Sequence, residues 1–206
     1  HCYQVVCIQE PPVLFGKVRQ HPGFTLYAID DNSTRAAIYI DRRLAASGPS
    51  PPNPALVSVT TNSLTITNVY LHPNFDLAID TRRQLRSLLL QGPTVVAGDL
   101  NIHHPDWDPR ARANPRGDMV RAWIASQSLY ILNPPGPTHR AGGVIDLALG
   151  PPRCYAEFAY WVSDHRALVV SVPHRPPQQL PLPKRLPRGK FQEATRLLRT
   201  LPSPPP

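Results

Sequence analysis

Asp99 and Asn101 stand two residues apart in Val95-Val96-Ala97-Gly98-Asp99-Leu100-Asn101-Ile102-His103-His104-Pro105-Asp106-Trp107. The apolar residues before them read as the end of a buried strand, and Gly98 lets the backbone turn. Side chains two apart in extended chain point the same way, so a carboxylate and an amide come side by side at the mouth of a sheet. A carboxylate can orient water or take its proton, and an amide can donate to an oxyanion. That pairing suits hydrolysis of an anionic ester such as a phosphodiester. The same two residues also suit a loop whose Asp and Asn satisfy their own turn.

Three further acids end or interrupt apolar segments: Glu10, Asp146 and Asp164. Asp146 lies inside Val-Ile-Asp-Leu-Ala-Leu, where a buried carboxylate needs a partner. His165, next to Asp164, could be that partner, with its ring oriented and its protonated form favoured beside a phosphate. A backbone hydrogen bond for Asp146 and an exposed loop position for His165 are the alternatives. Glu10 and Asp164 offer hard oxygen donors suited to Mg2+ rather than zinc. His72, His103 and His104 lack the spacing or cysteine partner of a zinc site and read as surface or loop residues. Trp107 and Tyr130 read as packing residues.

The elements that must position these groups follow from periodicity and turn residues. Strands are expected at 3–10, 24–29, 36–40, 57–60, 64–70, 94–97, 130–132, 144–149 and 167–172, with helices at 76–91 and 117–128, and 155–162 leads to Ser163-Asp164-His165. Residues 13–23 read as a loop or short helix, 134–143 as a loop, and 189–201 as a short helix. Short turns make most pairings antiparallel. The expected fold is therefore α/β, a four-layer sandwich of two mixed, mostly antiparallel sheets packed face to face and flanked by helices.

Length and charge set the frame. A chain of 206 residues is one domain, or one domain and a tail. Residues 173–206 are Pro-rich and carry Arg175, Lys184, Arg185, Arg188, Lys190, Arg196 and Arg199 against a single acid, Glu193. We divide the chain into a domain at 1–172 and a basic linker or tail at 173–206. Most of the net charge of +8 thus lies in the tail, which could attract nucleic acid or serve as a solvated linker. No apolar stretch reaches transmembrane length, and His1-Cys2-Tyr3-Gln4 does not open a signal peptide. The missing initial Met predicts a fragment or processed chain. Three cysteines, Cys2, Cys7 and Cys154, form no disulfide or metal pattern, which predicts a reducing compartment, cytosol or nucleus.

Gln9-Glu10-Pro11, Asn68-Val69-Tyr70, Gly98-Asp99-Leu100-Asn101, Ile145-Asp146-Leu147 and Ser163-Asp164-His165 occur in this order. The set resembles the endonuclease/exonuclease/phosphatase superfamily over about residues 3–172. Gly-Asp-Leu-Asn-Ile-His-His-Pro-Asp-Trp, Asn114-Pro115-Arg116-Gly117 and Pro137-Thr138 are most similar to the endonuclease domain of LINE-type (non-LTR) retrotransposons. The resemblance implies a Mg2+-dependent (or Mn2+-dependent) DNA endonuclease that leaves a 3′-hydroxyl to prime reverse transcription. It implies DNA as partner, no membrane, a joined reverse transcriptase domain and nuclear residence, with cytoplasm before import. It assigns metal binding to Glu10 and Asp164. The water falls to Asp99, the phosphate to Asn101 and Tyr70, and the charge beside the phosphate to His165 with Asp146. Thr138 resembles a DNA-contacting residue, and Asn74 is a further phosphate-site candidate. Relatives open with an Asn-bearing strand that this chain lacks, so one sheet is expected to be short of a member. An abasic-site nuclease, a phosphatase and an inactive remnant that only binds nucleic acid are the alternatives.

Overall fold

The structure is a computed structural model that describes residues 3–48, 53–61, 64–73, 78–88, 90, 92–160 and 163–173, without the side chains of 78–80. Cys2, Asn74, residues 174–206 and the helix expected at 189–201 lie outside the described residues.

In chain order the elements are β1 (Val5–Gln9), β2 (Val13–Leu14), β3 (Lys17–Val18), β4 (Phe24–Tyr27), β5 (Ala36–Asp41), β6 (Ala46–Ser47), β7 (Leu56–Thr61), β8 (Thr65–Tyr70), α1 (Ala78–Ser87), β9 (Thr94–Asp99), α2 (Pro115–Ser126), β10 (Tyr130–Ile131), β11 (Asp146–Gly150), β12 (Tyr155–Ala159) and β13 (Ala167–Ser171). Six strands form a mixed sheet in the order β10-β11-β9-β8-β7-β6, and three form a second sheet, β1-β5-β4. β12 pairs with β13, and β2 with β3. The β8–β9 pair is parallel and the other pairs are antiparallel. The expected α/β sandwich is the fold found. β1 and β13 each pair with one neighbour and are half-buried along their whole length.

Three apolar clusters define the layers. Val69, Val96, Leu147 and Leu149 of the large sheet pack against Leu85 of α1 and Val120 and Ile124 of α2. Val57, Val59 and Ile66 on the other face meet Ile38 and Ile40 of the small sheet, joined by Val5 and Cys7. Ala37 and Tyr39, on the small sheet's far face, are covered by Val18 and Val13. Both helices thus lie on the large sheet, and the β2–β3 hairpin closes the small one. Residues 13–18 are this hairpin rather than a loop or short helix, and 19–23 are the loop expected. Strands of two residues leave no alternation to read.

One buried polar side chain joins the two sheets. Asn68, on β8, is wholly buried. Its amide donates to the carbonyls of Ile8 and Ala37, each at 2.9 Å. Its oxygen accepts from Gln9 Nε2. Leaving any of these groups unpaired would be costly, so Asn68 fixes the register of β1 over β8.

The helices begin and end differently from expectation. α2 starts at Pro115, with Asn114 as its cap accepting from Gly117 N–H at 2.9 Å. Asn then Pro is a start signal that the apolar periodicity alone passes over. Cys7 and Cys154 are free thiols. Trp107 is buried, as a packing residue should be, and donates from Nε1 to the Ile102 carbonyl. Tyr130 is exposed instead, because the short edge strand β10 turns it away from the core.

Candidate active site

The site is a row across one end of the large sheet, where β8 and β9 finish and β11 begins. Tyr70 pairs with Asp99 between β8 and β9, and Asp99 pairs with Asp146 between β9 and β11. Register partners in a sheet share a face, so three neighbouring strands present Tyr, Asp and Asp together. Gly98 makes the middle strand possible. A Cβ there would stand 1.8 Å from the Val69 carbonyl oxygen, so no other residue fits.

Asp99 is 7 % exposed. Burial, then the charge of Asp146, lifts its carboxyl to about 7 against the opposing pull of Asn101 and His165. A carboxylate in that range can exchange a proton near neutral pH. Asn101 is held to it by an Asx turn. Its N–H donates to Asp99 Oδ1 at 2.9 Å and its Nδ2 to Asp99 Oδ2 at 3.0 Å. Asn101 has a φ of +48°, so the two side chains meet through this turn rather than through strand alternation. Asn101 Nδ2 also donates to the Leu71 carbonyl at 3.0 Å. Its amide hydrogens are thus engaged, and it orients Asp99.

His165 Nδ1 donates to Asp146, with oxygens at 3.0 and 2.9 Å. Burial draws the imidazole down, but the hydrogen bond and charge of Asp146, with the charges of Asp99 and Asp164, leave it above its ordinary value. The protonated form is therefore favoured, as expected of an Asp–His pair.

Tyr70 connects this row to Glu10. Its hydroxyl is raised to about 12 by burial, then by the charges of Glu10 and Asp99 and a hydrogen bond with Glu10, against Arg35. The phenol stays neutral and able to donate. Glu10 follows β1 with a φ of +46°, and its N–H bonds the Arg35 carbonyl at 2.8 Å. Arg35 brings a cation to the site that its sequence does not advertise. It lies opposite Glu10 only because β1 pairs with β5.

Asp164 is exposed and accepts from the Ser163 hydroxyl at 3.0 Å, the first cause of its lowered pKa. His139 Nε2 stands 3.4 Å from it, and the His139 and His165 rings meet edge to face at 4.6 Å. Among the described residues, two groups place three potential ligand atoms within 4.8 Å of one another: Asp99, Asp146 and His165, and His139, Asp164 and His165. Glu10 belongs to neither, so the two expected metal ligands flank opposite ends of the row. His139 carried no signal of its own in the sequence; a backbone bridge to His165 places it.

Thr138 is 0 % exposed. Its hydroxyl accepts the N–H groups of Ile145 and Asp146 at 3.0 and 3.1 Å, and its carbonyl accepts from Arg166 at 2.7 Å. It touches no open surface. The side chain expected to contact DNA is instead spent on the start of β11, while the Thr138 main chain holds Arg166. His104 is likewise internal. Its Nδ1 accepts from Asp106 N–H at 3.0 Å and its Nε2 lies 3.2 Å from Asp118, latching the loop after Asn101 to α2.

Residues 64–169 match the family described as endonuclease-reverse transcriptase. No curated relative matches the chain. Among solved structures, the endonuclease domain of TRAS1, a telomere-specific non-LTR retrotransposon, aligns with a TM-score of 0.67 at 20% identity, covering 81% of this chain and 84% of that one. An AP endonuclease from Archaeoglobus fulgidus aligns at 0.58 and 18%, covering 82% and 88%. The 3′ phosphatase NExo from Neisseria, bound to a product DNA hairpin, aligns at 0.55 and 15%, covering 83% and 89%. These likenesses carry the fold, and the family match carries membership. The chain therefore belongs to the endonuclease-reverse transcriptase family, and is a nuclease of the endonuclease/exonuclease/phosphatase superfamily.

Proposed function

We propose that residues 1–172 are the metal-dependent DNA endonuclease domain of a retroelement, with 173–206 the linker toward a reverse transcriptase and the nucleus as the place of action. The observation that carries this reading is the register that sets Asp99 beside Asp146, with His165 bonded to Asp146 at 2.9 Å.

Asp99, oriented by Asn101, takes the proton from the attacking water. The protonated His165, held by Asp146, faces the negative charge that develops on the phosphate. Tyr70, its hydroxyl turning from Glu10 to the substrate, donates to a phosphate oxygen, with Arg35 adding positive charge at the same end of the row. Attack on phosphorus with cleavage of its bond to O3′ leaves a 3′-hydroxyl and a 5′-phosphate, and that hydroxyl primes reverse transcription. Asp99 and Asp146, whose ligand atoms lie within 4.8 Å of each other, with Glu10 at one end of the row or Asp164 at the other, are the hard oxygen donors that would hold Mg2+ or Mn2+. The raised Asp99 carboxyl, beside a second acid, is the electrostatic situation a cation relieves. When bound, the ion supplies charge stabilisation to the phosphodiester oxygens.

The chemistry of the nick tests this reading. Supercoiled plasmid treated with protein and Mg2+ should yield open circles that a DNA polymerase extends without prior phosphatase treatment. Ends that require dephosphorylation before extension would mean that the other phosphorus–oxygen bond is broken.

A further inference from the structure

The β2–β3 hairpin carries a combination that its packing does not explain. Its inner residues are anchored. Val13 and Val18 join Ala37 and Tyr39 in an apolar cluster. The Tyr39 hydroxyl donates to the Arg19 carbonyl at 2.6 Å, and Arg19 N–H donates to the Pro12 carbonyl at 3.3 Å. The tip does the opposite. Phe15 is 93 % exposed and Leu14 is 69 % exposed. A Cβ placed on Gly16 would find nothing within 4 Å, so the tip stands in open space.

The turn itself disfavours that phenylalanine. Phe15 and Gly16 have φ values of +51° and +73°, the paired left-handed residues of a two-residue hairpin loop. Asn or Gly takes the first position without strain, whereas a bulky side chain there is an outlier. An exposed aromatic held in a strained conformation by a well-anchored base needs a use outside the folded chain.

Position and charge identify the use. Phe15 lies five positions after Glu10, so at most about 18 Å of chain joins them. Pro11 and Pro12 stiffen that connection, and Glu10 touches Tyr70. Lys17 and Arg19 are exposed on the same hairpin. An apolar tip flanked by cations matches duplex DNA, whose phosphates meet Lys and Arg while an inserted side chain meets sugar and base faces.

We propose that Phe15, backed by Leu14, is a DNA-contacting wedge that engages the duplex beside the scissile phosphate. The inference rests on the endonuclease reading and adds to it a residue that holds substrate. Direct binding of a fluorescein-labelled duplex, measured by anisotropy in EDTA, tests it without requiring turnover. Phe15→Ala should weaken binding roughly five- to tenfold. Phe15→Trp should bind as tightly as the parent, with its added emission quenched by DNA. Phe15→Asn should raise the melting temperature, by relieving the turn, while lowering DNA affinity; a structural role would lower the melting temperature instead. Unchanged affinity in Phe15→Ala together with unquenched emission in Phe15→Trp would overturn the wedge. So would loss of self-association in Phe15→Ala with DNA binding intact, which would mark the tip as a protein contact. Failure of the parent chain to bind any duplex would overturn the endonuclease reading along with it.

Discussion

Replacing Asp99 with Asn should stabilise the fold while removing activity, and only above a defined pH. Asp99 is raised from the ordinary carboxylate value of 3.8 to about 7, chiefly by burial and then by the charge of Asp146. Below 3.8 the carboxyl is neutral in both folded and unfolded chains and makes no difference. Between 3.8 and 7 the unfolded chain has released the proton and the fold still holds it, so stability falls as pH rises. Above 7 the loss is complete, on the order of 4 kcal/mol. Asp99→Asn removes it. The variant retains an oxygen for the Asn101 N–H but faces Asn101 Nδ2 with an NH2 group, which costs about 1–2 kcal/mol. The net gain at pH 8 is about 2 kcal/mol, or about 4–8 °C in melting temperature for a chain of this size. Urea unfolding of both proteins in EDTA from pH 4 to 8.5 reads it. The difference should grow between pH 4 and 7 and then level off. A variant less stable than the parent at pH 8, or a difference independent of pH, would refute the electrostatic account of Asp99.

Four other outcomes follow from the same geometry. The rate of nicking should rise with pH as Asp99 ionises, at a pH below its metal-free value of about 7 because the bound cation favours the carboxylate, then fall as His165 loses its proton above its ordinary value. Asp146→Asn, which keeps an acceptor for His165 Nδ1 but removes the charge that helps raise it, should move that alkaline limb to lower pH. Thr138→Val leaves two buried N–H groups without an acceptor and should cost about 2 kcal/mol in urea unfolding, with a larger fall in kcat than change in KM, whereas Thr138→Ser should restore both. Asn68→Ala breaks the bonds that join the two sheets and should cost about 3 kcal/mol in the same assay.

Much of this was legible in the chain. Asp99 and Asp146 could be chosen because each is an acid at the end or in the middle of an apolar segment, where burial demands a partner, and His165, beside Asp164, is the partner on offer. The central strand and α2 followed from periodicity. What escaped is what depends on register. Arg35 reaches the site because β1 pairs with β5, and His139 because a bridge joins it to His165; neither pairing is local in sequence. Asn101 stands at a suggestive position and Thr138 is pointed to by the family resemblance, yet their hydrogen bonds point inward, to Asp99 and Leu71 and to the start of β11. Sequence shows that a donor or acceptor is present, and only the fold shows where it is spent. The hairpin at Phe15 was missed because a Phe-Gly turn lacks the Asn or Asp that announces such loops.

The most direct test is nicking of supercoiled plasmid by the parent chain, by Asp99→Asn and by His165→Ala, each first shown to be folded by circular dichroism. We expect open circles with Mg2+ and none with EDTA for the parent, and a rate reduced at least about a hundredfold for each variant. Cleavage by either variant at the parental rate would contradict the assignment of the Asp99–Asp146–His165 row as the hydrolytic centre.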